Sequence, residues 1–284
     1  MTNDDQRAAW NGASGANWVD QQERYDRTLE PWAVLLADTA AVTPGERVLD
    51  VGCGCGATTL DAARRTGAAG AALGVDLSAP MIAVARRRAE AAGLVGASFR
   101  VGDAQTADLG VEAHDVVVSR FGVMFFDDPV AAFANLRKAV RPGGRLAFAV
   151  WAALPDQEWI TVAMAAALAH LPRAEPAGPT AAEDAPGLFS LARPERTIDL
   201  LTRAGWDDVA VDRQERQVLF GGGGTVDDAV AFLAKTGPAR ALLDGVDEAT
   251  VARTLDAVRE AFAAYHTPDG VVLGGTAWMV TARR

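Results

Sequence analysis

Apolar and polar positions alternate in two patterns along the first half of the chain. Short apolar runs, typical of buried strands, are each followed by a stretch whose apolar residues recur every three or four positions, typical of helices. The pattern predicts strands at 47–51, 71–75, 97–101, 115–119 and 145–150, and helices at 57–66, 79–92 and 129–140. Strands and helices that alternate in this way form βαβ units, so the pattern predicts an α/β protein with a parallel sheet.

Helical spacing also precedes and follows this region. Residues 14–41 have the pattern of a helix that Pro31 breaks. Beyond 151 the predicted elements are a helix at 156–170, a Pro- and Ala-rich loop at 171–187, a helix at 194–204, a strand at 207–219, helices within 226–265 and a strand at 270–283. We interpret the chain as one domain in three parts: a helical cap at 1–45, a core at 46–151, and the remaining strands at 152–284 with a helical lid at about 221–268.

A glycine-rich turn with little side-chain bulk follows the first strand. In "RVLDVGCGCGATTL", Gly52, Gly54 and Gly56 occupy alternate positions. Thr58 and Asp61 have the spacing of a capping box, which predicts a helix that begins near residue 57. A strand, a bare turn and a helix start together indicate a ligand that approaches the backbone closely.

The turn alone does not identify that ligand. With Ala57 in its last position it matches the relaxed dinucleotide pattern Gly-x-Gly-x-x-Gly/Ala, so an NAD-dependent oxidoreductase is one alternative. Asp50, two residues before Gly52, would repel a pyrophosphate and attract a ligand with an ammonium and a sulfonium. Asp76 ends the second strand, where an acid can accept from both ribose hydroxyls. Asp103 follows the third strand, where it can accept from an adenine amino group.

These residues lie in motifs that carry a family resemblance. "LDVGCGCG", "GVDLSAPMI", "FRVGDA" and "LRKAVRPGGRLAF" resemble the successive motifs of class I S-adenosylmethionine-dependent methyltransferases. The stretch "VVVSRFGVMFFDDPVAAFANLRKAVRPGG" resembles their ubiquinone/menaquinone-biosynthesis C-methyltransferase-like branch. The resemblance implies a Rossmann-like sheet of seven strands in the order 3-2-1-4-5-7-6, the last strand antiparallel, with helices on both faces. It also implies S-adenosyl-L-methionine as the cofactor.

The resemblance assigns roles to the residues of the first two motifs. Gly52 and Gly54 would let the methionine part of the cofactor approach the backbone. Asp76 would hold the ribose. Met81 would lie against the adenine, with a place in the core as the alternative.

The later motifs complete this set. Asp103 and Ala104 would bind the adenine amino group, and Ser119 and Arg120 would line the methyl-transfer face. An ion pair with a nearby acid is the alternative for Arg120. Trp18 would cover the cofactor from the N-terminal segment, and core packing is an equally good account of it.

Composition narrows the class of partner. The chain has 284 residues and a net charge of -10, which argues against a nucleic-acid or anionic-membrane surface. The sequence begins without an apolar signal segment, its longest apolar stretch at 160–171 is too short to span a bilayer, and its two cysteines fall short of a zinc site. We therefore expect a soluble cytoplasmic protein, a monomer or homodimer, that binds neither nucleic acid, membrane nor metal.

The reaction predicted is in-line displacement of a methyl group onto an oxygen or carbon. The acceptor is expected to be a hydrophobic small molecule of quinone-like, aromatic or polyketide type, because the lid helices bring apolar residues to the strand ends. His266, where the lid returns to the sheet, is the candidate general base, with a structural role in the loop as its alternative. A non-catalytic cofactor-binding protein is the alternative from another class.

Overall fold

Four short helices open the chain. The computed structural model describes residues 3–171 and 185–284, so most of the loop predicted at 171–187 lies outside the described residues. The helices are α1 (Asn3–Asn11), α2 (Ala13–Asp20), α3 (Gln22–Thr28) and α4 (Glu30–Ala40). Pro31 lies in the first turn of α4, where its missing N–H removes no helical hydrogen bond. The break predicted at Pro31 is therefore confirmed.

The central part alternates strands and helices as predicted. Its strands are β1 (Arg47–Val51), β2 (Ala71–Asp76), β3 (Ala97–Val101), β4 (His114–Arg120) and β5 (Val140–Trp151). Its helices are α5 (Ala57–Thr66), α6 (Ala79–Ala91) and α7 (Pro129–Ala139). All pairings among these five strands are parallel, which brings their carboxyl ends to one edge of the sheet.

The last part completes the sheet and adds helices. The elements are α8 (Glu158–Ala167), α9 (Pro194–Arg203), β6 (Asp207–Leu219), α10 (Val226–Lys235), α11 (Gly237–Leu243), α12 (Glu248–Ala263), β7 (His266–Thr267) and β8 (Gly270–Arg283). The strand order is β3-β2-β1-β4-β5-β8-β6, and the two-residue β7 pairs with β8. Strand β8 is antiparallel to both β5 and β6. Apart from β7, the order implied by the family resemblance is confirmed.

Two local expectations are wrong. Gly56, at φ +88°, occupies the N-cap of α5 without a side-chain hydrogen bond, so Thr58 and Asp61 form no capping box. Asp61 instead accepts from Arg65 at 2.6 Å, one turn along the helix. The predicted start of β5 at 145 is also wrong, because the turn residues 141–144 form an irregular register shift within a longer strand.

The largest part of the core surrounds the sheet, and a smaller part lies among α10, α12 and β8. Trp32, Phe133 and Phe148 are fully buried in the main part. Residues of α10, α12, β8 and the 220–222 turn form the smaller part, in which Phe232 and Phe262 are buried. Helices α10 and α12 are thus held to β8 and the 220–222 turn by apolar contact.

Candidate active site

One large cavity opens at the carboxyl edge of the parallel strands. Its volume is about 440 Å³. The ends of β1, β2, β3 and β4 form its floor, α1 to α3 cover one side, and α10 and α11 border another. Sites in open parallel sheets lie at this edge, where the strand order reverses on either side of β1.

The glycine turn shapes the cavity floor. Gly52 (φ +68°) passes Gly122 so closely that a Cβ on it would lie 2.7 Å from the Gly122 Cα. A Cβ on Gly54 (φ +53°) would instead point between the Met81 Sδ, at 3.8 Å, and the Trp18 Nε1, at 3.9 Å. Gly54, Met81 and Trp18 all belong to the site predicted from sequence, and Gly54 leaves room for a ligand between the other two.

Asp76 links the end of β2 to this turn. Its Oδ2 accepts from the Gly54 N–H at 2.8 Å, and its Oδ1 accepts from the Ser78 N–H at 2.8 Å. Burial raises the pKa of Asp76, and these hydrogen bonds oppose the rise. Asp76 lines the cavity, and each of its oxygens retains acceptor capacity for a ligand hydroxyl.

The adenine residues predicted from sequence also line the cavity. Asp103 accepts from the Gln105 N–H through Oδ1 at 2.9 Å, and Ala104 is 6% exposed. The Asn135 Nδ2 donates to the Ala104 carbonyl at 3.0 Å and thereby anchors the loop. Met81, 3% exposed, packs at the start of α6 and reaches the cavity wall. The structure therefore brings these three predicted residues together with Asp76.

Asp50 lies beneath the turn, outside the cavity lining. It is 1% exposed, and its Oδ2 accepts from the Thr59 Oγ1 at 2.6 Å. Its Oδ1 has no hydrogen-bond partner among the described residues. Burial raises the pKa of Asp50 to about 6, against the opposing effect of the Thr59 hydrogen bond. The contact with a bound ligand expected of Asp50 is not seen in this geometry.

Ser119 and Arg120, adjacent at the end of β4, point to different places. Ser119 is buried outside the cavity lining, donates to the Val51 carbonyl at 2.7 Å and accepts from the Gly122 N–H at 3.2 Å. Arg120 lines the cavity and has no hydrogen bond or ion pair with any described side chain. Burial lowers the pKa of Arg120, while the negative charges of Asp26 and Asp50 raise it. The ion pair considered as an alternative for Arg120 is absent from the described part of the chain.

The two remaining predicted residues differ in outcome. Trp18 lines the cavity and stacks on Tyr25, with ring centroids 3.8 Å apart and an interplanar angle of 3°. His266 is exposed in β7, where it pairs with Val271, and it is not among the residues that line the cavity. The structure therefore does not bring the predicted general base to the site.

Sequence reasoning missed a group of aromatic residues, here called the aromatic wall, in the cavity lining. Phe121 stacks on Trp151 with centroids 3.9 Å apart, and the Trp151 and Trp159 centroids lie 5.4 Å apart. Phe220 and Phe232 continue the wall in an edge-to-face pair at 5.5 Å. All five are visibly aromatic in the sequence. Their common surface could not be predicted, because it forms only where two strand ends, a turn and two helices meet.

Asp26, from α3, was also missed. It lines the cavity, and its Oδ2 accepts from Arg88 at 2.6 Å and from Gln22 at 2.5 Å. Arg88 also donates to the Cys55 carbonyl at 2.7 Å, which ties Asp26 to the glycine turn. An Asp in a polar helical stretch carries no local signal of this position.

Comparison with known proteins agrees with this fold. Residues 48–144 match the family model described as "Methyltransferase domain". Aklanonic acid methyltransferase DauC of Streptomyces sp. (strain C5) is 38% identical over 128 residues, which are 44% of this chain and 58% of DauC. Demethylmenaquinone methyltransferase of Thermus thermophilus is 36% identical over 115 residues, 40% of this chain and 51% of that protein. The matches thus span little more than half the length of these relatives.

A solved structure extends the likeness in fold beyond the matched sequence. The YcgJ protein from Bacillus subtilis aligns with a TM-score of 0.55 at 16% identity, over 90% of this chain and 98% of that one. At this identity the likeness concerns the fold alone. Residues 48–144 thus match a methyltransferase domain, and the strand order and strand-end motifs are those implied by the resemblance to class I S-adenosylmethionine-dependent methyltransferases.

Proposed function

We propose that this protein transfers a methyl group from S-adenosylmethionine to an oxygen or carbon of a hydrophobic, aromatic small molecule. One observation carries the proposal: a single cavity joins the glycine turn and strand-end acids to a wall of stacked aromatic rings. The first half suits a nucleoside with an amino-acid tail. The second half suits a planar apolar acceptor.

The cavity residues fit the cofactor from end to end. Asp76 would accept from the ribose hydroxyls, and Asp103 from the adenine amino group, beside Met81. Gly54 leaves space that a Cβ would fill, at the place where the cofactor would cross the turn.

The amino-acid end of the cofactor has charged partners within reach of the same turn. Asp26 retains an oxygen, Oδ1, for which the described structure gives no hydrogen bond, and Arg120 retains its donors. Carboxylate and guanidinium suit the ammonium and carboxylate of that end, respectively. Asp26 would therefore take the role that the sequence suggested for Asp50.

The protein's contribution to the reaction is positioning. When bound, S-adenosylmethionine supplies an electrophilic methyl group on a positively charged sulfur. The turn and the acids hold the donor side, and Phe121 and Trp151 hold a flat acceptor by stacking. Orientation of two reactants in this way supplies about 7–11 kcal/mol of a barrier. The aromatic rings also keep water from the reacting groups.

Tyr25 offers the acceptor a hydrogen-bond donor, in place of the general base predicted at His266. No histidine lines the cavity in the described part of the chain. The Tyr25 hydroxyl accepts from the Asn17 Nδ2 at 3.2 Å, and burial raises the pKa of Tyr25, so the phenol stays protonated at neutral pH. Tyr25 is suited to donate a hydrogen bond to an acceptor oxygen, and an electron-rich carbon or an already ionised oxygen needs no strong base.

The names of two relatives support an aromatic or polyketide-type acceptor. One is named for aklanonic acid and the other for demethylmenaquinone. The aromatic wall of this chain supports the same class independently. A nicotinamide-dependent oxidoreductase and a non-catalytic cofactor-binding protein are the competing functions, and neither accounts for the wall and the family match together.

The organisation of the protein is part of the proposal. We infer one domain with a helical lid at about 221–268, acting in the cytoplasm as a monomer or homodimer on small molecules. The net charge of -10 supports a partner other than nucleic acid. Within the described residues no helix is both long and apolar enough to cross a membrane, and no group of three or more His, Cys, Asp or Glu side chains is placed to hold a metal ion.

Methyl transfer is tested by mass spectrometry with S-adenosylmethionine labelled with deuterium in its methyl group. The protein is incubated with a panel of hydroxylated naphthoquinones and anthraquinones and with a metabolite extract. We expect S-adenosylhomocysteine to accumulate together with one product that carries the labelled methyl group. A protein that binds the cofactor but labels nothing in the panel or extract would favour the non-catalytic alternative.

A further inference from the structure

Within the described structure, the helices α10 to α12 place basic residues, and no acidic ones, on the cavity lining. Residues 226–263 contain seven acidic and four basic residues. Two of the basic residues, Lys235 and Arg240, line the cavity, whereas none of the seven acids does within the described structure. In a segment and a chain that are both acidic, the cavity edge on this side is nevertheless cationic.

The other two cations of these helices are engaged elsewhere. Arg259 binds Asp227 at 2.5 Å and also pairs with Asp256, and Arg253 donates to the Thr250 Oγ1 at 2.7 Å. These pairings satisfy the charges that face away from the cavity.

Lys235 and Arg240 have no such partner. Both are exposed at the cavity edge, and neither side chain forms a hydrogen bond or ion pair with any residue in the described ranges. Thr236 lies between them on the same edge, and its hydroxyl donates to the Leu233 carbonyl. The donors left free on this side of the cavity therefore belong to two cations. Each lies in the last turn of its helix, where a positive charge is favourable, but that position does not explain why both line the same cavity.

The cations line the same cavity as Asp76 and Asp103. Phe232 precedes Lys235 by about one turn in α10, and its ring packs edge-to-face on Phe220, which also lines the cavity. A molecule stacked on the rings would bring its outer substituent to Lys235 and Arg240.

We propose that the acceptor is an acid: a planar aromatic molecule with a carboxylate or other ionised oxygen, which Lys235 and Arg240 bind at the cavity edge. This inference rests on the proposed function, since it names the class of acceptor for the same site. A carboxylate accepts charge-assisted hydrogen bonds from both residues, and the cations also attract an anionic ligand toward an otherwise acidic protein.

The test compares an acid with its neutral analogue of nearly equal shape. Anthraquinone-2-carboxylic acid and anthraquinone-2-carboxamide are titrated by calorimetry into protein loaded with S-adenosylhomocysteine. The wild-type protein is expected to bind the acid more tightly than the amide, by about tenfold at low ionic strength, with the preference reduced by salt. The double variant Lys235→Gln/Arg240→Gln is expected to lose this preference and to bind the amide as before.

Arg253→Gln is the matched control, since it removes a cation from the same helical segment outside the cavity. It should behave as the wild type. Equal or absent binding of both probes by the wild type would overturn the inference, as would a preference that survives in the double variant. A preference abolished only by Arg120→Gln would place the acid at the end of β4 and would also overturn it.

Binding of S-adenosylhomocysteine is measured first for every variant. A wild-type protein that does not bind it contradicts the proposed function. Intact binding without a preference for the acid contradicts the acidic acceptor alone.

Discussion

At the scale of single residues, two acids on adjacent strands lie near the glycine turn but face different surroundings. Asp76, at the end of β2, faces the cavity and holds two backbone amides. Asp50, within β1, faces inward and has only the Thr59 hydroxyl as a partner. Both carboxyl groups have raised pKa values because of burial, but only Asp76 is placed to touch a ligand.

Replacing Asp76 by Ala is expected to weaken cofactor binding at least tenfold. The variant loses charge-assisted ribose hydrogen bonds, worth about 1.5–3 kcal/mol each. It also frees the Gly54 and Ser78 amides that order the turn. Calorimetry with S-adenosylhomocysteine measures the loss, and circular dichroism checks the fold. The control is Asp108→Ala, which changes an exposed acid outside the cavity and should bind S-adenosylhomocysteine as the wild type does. If a folded Asp76 variant binds with unchanged affinity, Asp76 is not part of the cofactor site.

Replacing Asp50 by Asn is expected to change how stability depends on pH. The folded pKa is raised from 3.8 to about 6, so the protonated form is favoured in the folded state. Below about pH 4 the protonated Asp50 makes its full contribution to the free energy of unfolding. This contribution, about 3 kcal/mol, is lost as the pH rises through 6. Asn cannot ionise, so the free energy of unfolding of the variant relative to wild type should rise by about that amount between pH 4 and pH 7. Urea unfolding at several pH values measures it. If the difference in free energy of unfolding between the two proteins does not vary with pH, the pKa of Asp50 is not raised in the folded protein.

At the scale of elements, a glycine turn packed against α3 precedes α10. Gly221 to Gly224 all have positive φ, and a Cβ on Gly222 would lie 2.8 Å from the Arg24 Cα. The Arg24 side chain in turn binds Asp228 at 2.9 Å, at the start of α10. The four-glycine turn thus lies where α3 and α10 contact each other.

Gly222→Ala is expected to destabilise the protein by more than the cost of its φ alone. Gly45 provides a matched control, because its φ is +87° and no atom lies within 4 Å of the place that a Cβ would occupy. Gly45→Ala should cost about 1–2 kcal/mol, the ordinary cost of a left-handed conformation for a residue with a Cβ. Gly222→Ala adds a backbone clash and should cost about 1–3 kcal/mol more. Urea unfolding compares the two, and equal losses would mean that α3 moves aside freely.

At the scale of the whole molecule, the cavity unites parts of the chain that are far apart in sequence. Residues from α1 to α3, from four parallel strands and from α10 and α11 all line it. A ligand that fills the cavity contacts all of these parts and therefore stabilises the folded protein as a unit.

S-adenosylhomocysteine at 100 times its dissociation constant is expected to stabilise the fold by about 2.7 kcal/mol. NAD at the same concentration should have no effect, because the acids at the cavity floor disfavour a pyrophosphate. Chemical denaturation with each ligand measures both. Stabilisation by NAD and none by the homocysteine derivative would favour the oxidoreductase alternative.

The hydrophobic pattern of the sequence was enough to predict the α/β sheet, and the family resemblance implied the strand order and the residues proposed to hold the cofactor. Strand and helix periods are local, and glycines and acids at strand ends share one edge whenever the strands are parallel. Gly54, Asp76, Met81 and Asp103 could therefore be placed from their motifs. Local capping was less secure, because Gly56 in a left-handed conformation replaced the side-chain cap that the spacing of Thr58 predicted.

For the other residues, the tertiary structure was needed to show whether the side chain faces the cavity, the core or the solvent. Asp50 lies under the turn and Asp26 above it, although both are acids near the same glycines in space. His266 lies outside the cavity because the two-residue β7 turns it to solvent. The aromatic wall and the cationic edge depend on contacts between elements that are distant in sequence, such as the end of β4 with the end of β5 and α3 with α10. Periodicity fixes which residues are apolar or charged on one element, but the surface that several elements share exists only after they pack.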